Sequence, residues 1–317
     1  MWRRTGELLV GLLRRLGWSV PRVSAPPEGK ARAADGQEPE APLEPLRHVV
    51  LTDGVSRTLF EEYERHRAGS RREEETGWVL LGHRRGCEAV ALASLPAGEM
   101  RDAGVAHVRF HREVQACATR ILWQEDDKLT IVGVVHTHPG SLRHPSHGDY
   151  QGDVQWVELL PGQEGVFGIG TFWGKAADSP AALQPSDNAL AYRGLRFDWY
   201  ALAAGDANYR PLPVRMTIGP DLAAALRPVW HHLEGNAERL ERLFGQLKRI
   251  RCELHESKPG SQLHLVVPVE RGLRLRVVLE DPQPIYLLEK GGELLAWDQE
   301  EPRIDRGVFL LLAELGR

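Results

Sequence analysis

Thiol chemistry is scarce in this chain: its 317 residues include 3 cysteines, Cys87, Cys117 and Cys252. The number is odd and no two stand as C-x-x-C, which excludes a disulfide framework or a thiolate zinc finger as the organising feature. A surplus of positive charge is missing as well. Lys and Arg total 40 against 44 Asp and Glu, a net charge of -4, whereas a general nucleic-acid binder carries a basic excess. No nucleic-acid partner is expected. No apolar run approaches the ~18 residues of a membrane span. The opening segment MWRRTGELLVGLLRRLGWSV offers only a short apolar stretch from Leu8 to Leu13, with Glu7 before it and Arg14 and Arg15 behind. It also lacks the small-residue cleavage site of a secretory signal. The expected compartment is therefore cytoplasmic.

What remains is ample for folding. Hydrophobic residues make up 42% of the chain, and at ~150 residues per domain the length suggests about two domains. Residues 1–20 place Trp2, Leu9, Leu12, Leu13 and Leu16 on one face of an amphipathic helix flanked by arginines, suited to packing on its own protein or to weak docking at a membrane surface. Residues 21–47 are rich in Pro, Ala, Glu and Gly and poor in large apolar side chains, the composition of a disordered linker.

A first domain is expected over 48–217. It opens with a strand in HVVLTDGV and a helix over 59–66, followed by strands at 77–82 and 87–94. An amphipathic helix over 108–123 comes next, then a β-branched strand at 129–135, typical of burial on both faces. A polar loop runs from 136 to about 151, and strands return at 166–173 and 197–202. A second domain, 218–317, reads as helices over 221–233 and 236–252, broken around Pro228 and Gly235. Short strands follow at 262–269, 272–279, 284–289 and 293–297, and a last helix at 306–315. The fold class is α+β.

The segment from Val135 to Asp149, VHTHPGSLRHPSHGD, carries the chemistry. His136 and His138 stand where a buried strand ends, and residues two apart on extended chain point to one side, so both imidazoles reach one ion. Pro139 and Gly140 turn the chain, which brings Asp149 back as a third ligand. Two His and one carboxylate leave the fourth tetrahedral position open, the arrangement of a catalytic zinc site. With 13 His in 317 residues, about half an H-x-H pair arises by chance, so the pair alone carries little weight. Ser146 and Asp149 at their offsets lower the joint chance to the order of one in a thousand. Upstream, Glu75 places a carboxylate immediately before the buried run GWVLLG, within reach of a metal-bound water. Its neighbours Glu73 and Glu74 belong to a charge run of the kind that is usually solvated. Ser146 also fits a helix N-cap, with Asp149 at the capping-box position.

A Glu, then H-x-H-P, seven residues to a Ser and x-x-Asp together resemble the JAMM (MPN+) zinc metalloprotease motif. The leading E-T-G-x-x-L-L-G is similar to the bacterial and archaeal branch of that family, and the resemblance covers roughly residues 48–205. It implies a mixed β-sheet flanked by helices, as in the JAB/MPN and cytidine-deaminase-like folds. It implies that His136, His138 and Asp149 bind Zn2+, that Glu75 is the general base, and that Ser146 helps hold the tetrahedral intermediate. It also implies peptidase or isopeptidase action after the C-terminal glycine of a ubiquitin-like protein, with conjugation-pathway proteins as partners. One departure stands out: Trp78 occupies a position where many relatives carry a second Gly.

Two other functions compete. Processing of a small sulfur-carrier protein is a variant of the same chemistry. A catalytically inactive MPN scaffold is the alternative from another class, but such scaffolds typically lose the His pair or the Glu, and this chain keeps both. Nucleobase deamination requires H-x-E with P-C-x-x-C, and neither occurs. The C-terminal domain loosely resembles the RWD and ubiquitin-conjugating-enzyme arrangement, which implies a recognition module; a dimerisation or lineage-specific domain fits the pattern equally. No Cys lies in or after its expected strands, so thioester chemistry there is not expected. Cys117, on a helical apolar face, reads as core.

Overall fold

The computed structural model describes residues 42–174, 183–247, 249–256, 261–270, 272–297 and 300–316. The amphipathic helix expected over 1–20, and the linker up to residue 41, lie outside the described residues. In chain order the elements begin with β1 (His48–Thr52), α1 (Asp53–Ala68), β2 (Gly77–Arg85), β3 (Glu88–Pro96), β4 (Asp102–Gly104), β5 (His107–Arg109) and α2 (Arg112–Leu122). Next come β6 (Thr130–Thr137), α3 (His147–Val157), β7 (Glu164–Phe172), β8 (Leu183–Ser186), β9 (Ala189–Tyr192), β10 (Leu195–Ala203), β11 (Arg210–Pro211) and β12 (Val214–Thr217). The chain closes with α4 (Trp230–Gln246), β13 (Arg251–Glu256), β14 (Ser261–Glu270), β15 (Leu273–Leu279), β16 (Ile285–Lys290), β17 (Glu293–Trp297) and α5 (Ile304–Leu315). The fold is α+β, a mixed sheet flanked by helices with a further sheet. Among the described residues no helix is long and apolar enough to cross a membrane.

The chain divides into two compact units. The first is built on a sheet of strand order β12-β1-β3-β2-β6-β7-β10-β9-β8, with β11 on β10. β6 runs parallel to β7 and antiparallel to β2, so the middle of the sheet is closed on both sides by hydrogen bonds. The β-branched residues of β6 fit this setting, since a central strand has no face left for water. On one face α1 packs through Val55, Leu59, Phe60 and Tyr63 onto Trp78, Leu80, Val135, Phe197 and Trp199. Gly170 of β7 is needed for this packing, because a Cβ there would meet the Phe197 ring at 2.7 Å. The other face carries Phe167, Ile169, Tyr200 and Leu202, packed with Val157, and Tyr150 and Val154 lie against them. Helix α1 starts six residues before its expected beginning, because the Thr52 side chain caps it by accepting the Val55 amide (3.2 Å) and so ends β1. Ordered packing also precedes β1. Leu46 is buried, and its amide donates to the Glu164 carboxylate (2.6 Å), which Arg84 and Arg210 also hold.

The second unit collects residues 97–102, 109–127 and 222–317. Helix α2 belongs to it. Cys117 lies 3.5 Å from the Ala237 carbonyl and Arg120 pairs with Glu241 (3.1 Å), so the apolar stripe of α2 faces α4. Val108, expected at the head of this helix, lies in β5 instead. The break expected at Gly235 does not occur: a 3-10 turn over Ala224–Val229 contains Pro228, and α4 then runs unbroken from Trp230 to Gln246. Its periodicity ends before residue 252, because Cys252 sits in β13, an unanticipated first strand of the five-stranded antiparallel sheet β13-β14-β15-β16-β17. Cys252 is therefore in a strand, contrary to expectation. It is buried, and burial pushes its thiol up to about 12, which leaves it without the thiolate that thioester chemistry needs.

Candidate metal centre

The ladder between β2 and β6 builds the site. Gly77 pairs with His136, and pairing continues past the strand ends: the Thr137 amide donates to the Thr76 carbonyl (2.9 Å) and the Thr76 amide to Thr137 Oγ1 (3.0 Å). One further antiparallel step sets Glu75 opposite His138. On the other flank the His138 amide donates to the Gly170 carbonyl (2.8 Å), so the chain stays extended and both histidines keep to one face. That is the face of Ile169 and Tyr200. Trp78 points to the opposite face, beside α1, with its indole N–H on Glu62 (2.5 Å) and its ring edge-on to Phe197. The departure at Trp78 is thus taken up by the α1 packing and leaves the Glu75 side untouched.

Asp149 arrives on the first turn of α3. Ser146 is the N-cap: its Oγ accepts the Asp149 amide (3.2 Å), and the Asp149 carboxylate accepts the Ser146 amide (2.5 Å), a reciprocal capping box. The carboxylate then lies 3.4 Å from His136 Nε2 and 3.4 Å from His138 Nε2, while the two Nε2 atoms are 3.1 Å apart. Tetrahedral zinc with bonds of ~2.0–2.2 Å would hold its donors about 3.3–3.6 Å apart. The donor set of two imidazoles and one carboxylate, at these separations, fits that ion. His138 Nδ1 bonds the Leu142 carbonyl (2.7 Å). That carbonyl can only accept, so Nδ1 carries the proton and Nε2 presents its lone pair to the centre.

The electrostatics favour a cation. Glu75 is 4% exposed, and burial raises its carboxyl above the usual range. The charge of Asp149 adds to this, and His136 and His138 oppose it. Burial disfavours charge on His136, yet its bond to Asp149 and the charges of Glu75 and Asp153 outweigh that and push it up to about 9. Asp149 is held well below the ordinary carboxylate range, because both imidazoles outweigh its burial. The metal-free triad therefore keeps a proton where a metal ion would stand.

All five sequence-predicted residues meet here: Glu75 beside the pair His136 and His138, and Ser146 with Asp149 at the head of α3. Within the run Glu73 to Glu75, only Glu75 is buried. Sequence reasoning missed Asp153, Tyr200 and Tyr209. Asp153 lies one turn beyond Asp149 on α3, and its carboxylate accepts the Tyr209 hydroxyl (2.7 Å). Burial pushes it up to about 7 with help from Asp149, against that hydrogen bond and His136. Its i,i+4 offset from Asp149 was a readable signal; Tyr209, in a loop, offered none. His144, in the loop before α3, bonds the Tyr200 hydroxyl through Nδ1 (2.8 Å).

No curated protein matches the chain. Among solved structures, that of protein DSY2949 from Desulfitobacterium hafniense, determined in solution, is similar over 55% of this chain and 95% of its own, at 14% identity and a TM-score of 0.36. The family model of prokaryotic homologs of the JAB domain matches residues 58–174. That interval contains Glu75, His136, His138, Ser146 and Asp149, so the centre lies wholly within the residues matched.

Proposed function

We propose that the JAB-like domain is a zinc-dependent peptidase or isopeptidase that hydrolyses the amide bond after the C-terminal glycine of a ubiquitin-like protein. The observation that carries this reading is the convergence of two imidazole nitrogens, 3.1 Å apart, on the Asp149 carboxylate, which meets each through a different oxygen at 3.4 Å, with a buried Glu beside them. Zinc held by His136, His138 and Asp149 would supply Lewis acidity, polarising the scissile carbonyl and bringing the pKa of a water molecule to ~7.

The chain's own residues do the rest. Glu75 accepts the proton of the attacking water and returns it to the leaving amine. Burial raises its pKa above the usual carboxylate range, which strengthens it as a base. Ser146 Oγ spends a lone pair on the Asp149 amide, so its O–H proton remains to donate to the developing oxyanion, a service worth ~10²- to 10³-fold. The reading places the enzyme in the cytoplasm among conjugation-pathway proteins, with the second unit as a recognition module.

The test uses a panel of ubiquitin-like proteins fused through their C-terminal glycine to a reporter. Glu75→Gln retains zinc and loses ~10²- to 10⁴-fold in cleavage rate. A variant that cleaves as fast as the parent removes Glu75 from the base role. A parent chain that holds no zinc after reconstitution favours the scaffold.

A further inference from the structure

Helix α3 carries the third donor on a weak anchor. Among its residues Val157, in the last turn, is the one fully buried, while Asp149 stands in the first. Full burial is thus confined to the end of α3 far from the donor. The end that carries Asp149 has its capping box and the partly buried Tyr150 ring, and three phenols hold it further.

The Tyr150 hydroxyl, one residue past the donor, donates to the Asp206 carbonyl (2.7 Å) in the loop after β10. That loop answers: its Tyr209 hydroxyl donates to Asp153 on α3 (2.7 Å). The two bonds run in opposite directions and follow Asp149 at one and four residues. Tyr200 grips the segment between the donors. Its hydroxyl donates to the Arg143 carbonyl (2.9 Å) and accepts from His144 Nδ1 (2.8 Å). The preceding carbonyl, of Leu142, is the one that fixes the His138 tautomer. Adjacent peptide groups are thus held by Tyr200 on one side and by His138 on the other. The three rings support each other, Tyr209 lying edge-on to Tyr150 at 6.1 Å and to Tyr200 at 6.4 Å, with Phe167 behind Tyr209 at 5.6 Å.

We propose that Tyr150, Tyr200 and Tyr209 form a brace that keeps His138 and Asp149 at metal-binding separation in the metal-free chain. The proposal rests on the metal centre of the reading above and adds what sets its affinity. The tyrosines are positioning residues: their hydroxyls are spent on loop and helix groups, and they act on the centre through them. A donor already in place gives up less freedom when the ion binds, so loosening the brace weakens binding without removing a ligand.

The test measures zinc dissociation constants by chelator competition, and cobalt(II) absorption as a report on ligand geometry, for the full chain and for Tyr150→Phe, Tyr200→Phe, Tyr209→Phe and the triple variant. Phenylalanine keeps each ring and deletes one hydroxyl. Ser94→Ala is the control, because it removes a buried hydrogen bond to Asp221 (2.6 Å) elsewhere in the same unit. Outer-sphere partners of metal ligands are typically worth ~10- to 100-fold in affinity. Each single variant, acting one bond further out, weakens zinc about 3- to 10-fold, and the triple variant weakens it about 100-fold with a shifted cobalt spectrum. Ser94→Ala changes neither. Triple-variant binding within about twofold of the parent overturns the brace, as does an equal loss in Ser94→Ala, which would make the effect one of general stability. A parent chain that binds no zinc overturns the centre itself and the brace with it.

Discussion

Among the described residues, two groups of side chains share one composition, two His and one Asp: His136, His138 and Asp149 in the first unit, and His231, His232 and Asp281 in the second. In the first, side-chain exposures are 10%, 8% and 15%. The histidines are two apart on extended chain and the carboxylate is fixed by a capping box. In the second, His231 is 58% and Asp281 78% exposed. The histidines are neighbours on a helix, and both approach a single oxygen of Asp281, at 3.6 and 3.9 Å. Residue type and proximity are common to both groups. Burial and prior fixation distinguish them: a donor free in water must be ordered before it can bind, and a buried one already has been.

The sharpest way to break this comparison is metal content. By elemental analysis after dialysis, the parent chain is expected to hold about one zinc, His136→Ala about none, and His231→Ala with Asp281→Ala still about one. If the surface double variant lost the ion while His136→Ala kept it, the contrast would be reversed.

Protons offer a second separation. His136 in the metal-free chain is raised from 6.5 to about 9, so at neutrality zinc must displace a proton from it. Affinity there tightens up to ~10-fold per pH unit until about 9, then levels, with protons released to buffer on binding. The sign for folding is opposite. A raised His stabilises the metal-free fold fully below its unfolded value of 6.5, and that stability is lost as pH rises through about 9. The thermal shift produced by zinc therefore grows between pH 6.5 and 9. In the surface group burial and the charge of His231 depress His232, against Asp281 and Glu280, so above pH 6.5 His232 poses no such competition. A zinc shift independent of pH over that window would sink this account.

Both the buried centre and its absence from the surface group bear on what the sequence could reveal. The JAB-like motif was legible because it is local: strand alternation joins His136 to His138, and the N-cap grammar of Ser146 joins it to Asp149. Glu75 required one long-range fact, the β2–β6 pairing, which two apolar runs ending beside the motif residues implied. The brace was not legible, since Tyr200 is one aromatic in an alternating strand and Tyr209 stands in a loop. Partnership was also hidden for α2. Its stripe around Cys117 and Ile121 declares a helix, but nothing in it says that the partner is α4, over a hundred residues later. Gly235 misled for the same physical reason. A glycine costs a helix ~1 kcal/mol, and burial of Leu233, Ala237 and Leu240 on the inner face of α4 outweighs that.

The smallest expected effect tests the surface group by itself. His231 is exposed, and its contact with Asp281 is an ion pair only when the imidazole is protonated. Such pairs are worth ~0–1 kcal/mol, because water screens them and two mobile side chains must be held together. His231→Ala should therefore change unfolding free energy by less than ~0.5 kcal/mol at pH 7.5, as read from urea midpoints, with or without zinc. A loss of ~2 kcal/mol or more, present only when zinc is added, would mean that the surface group binds the ion after all. Burial would then not be what distinguishes the two.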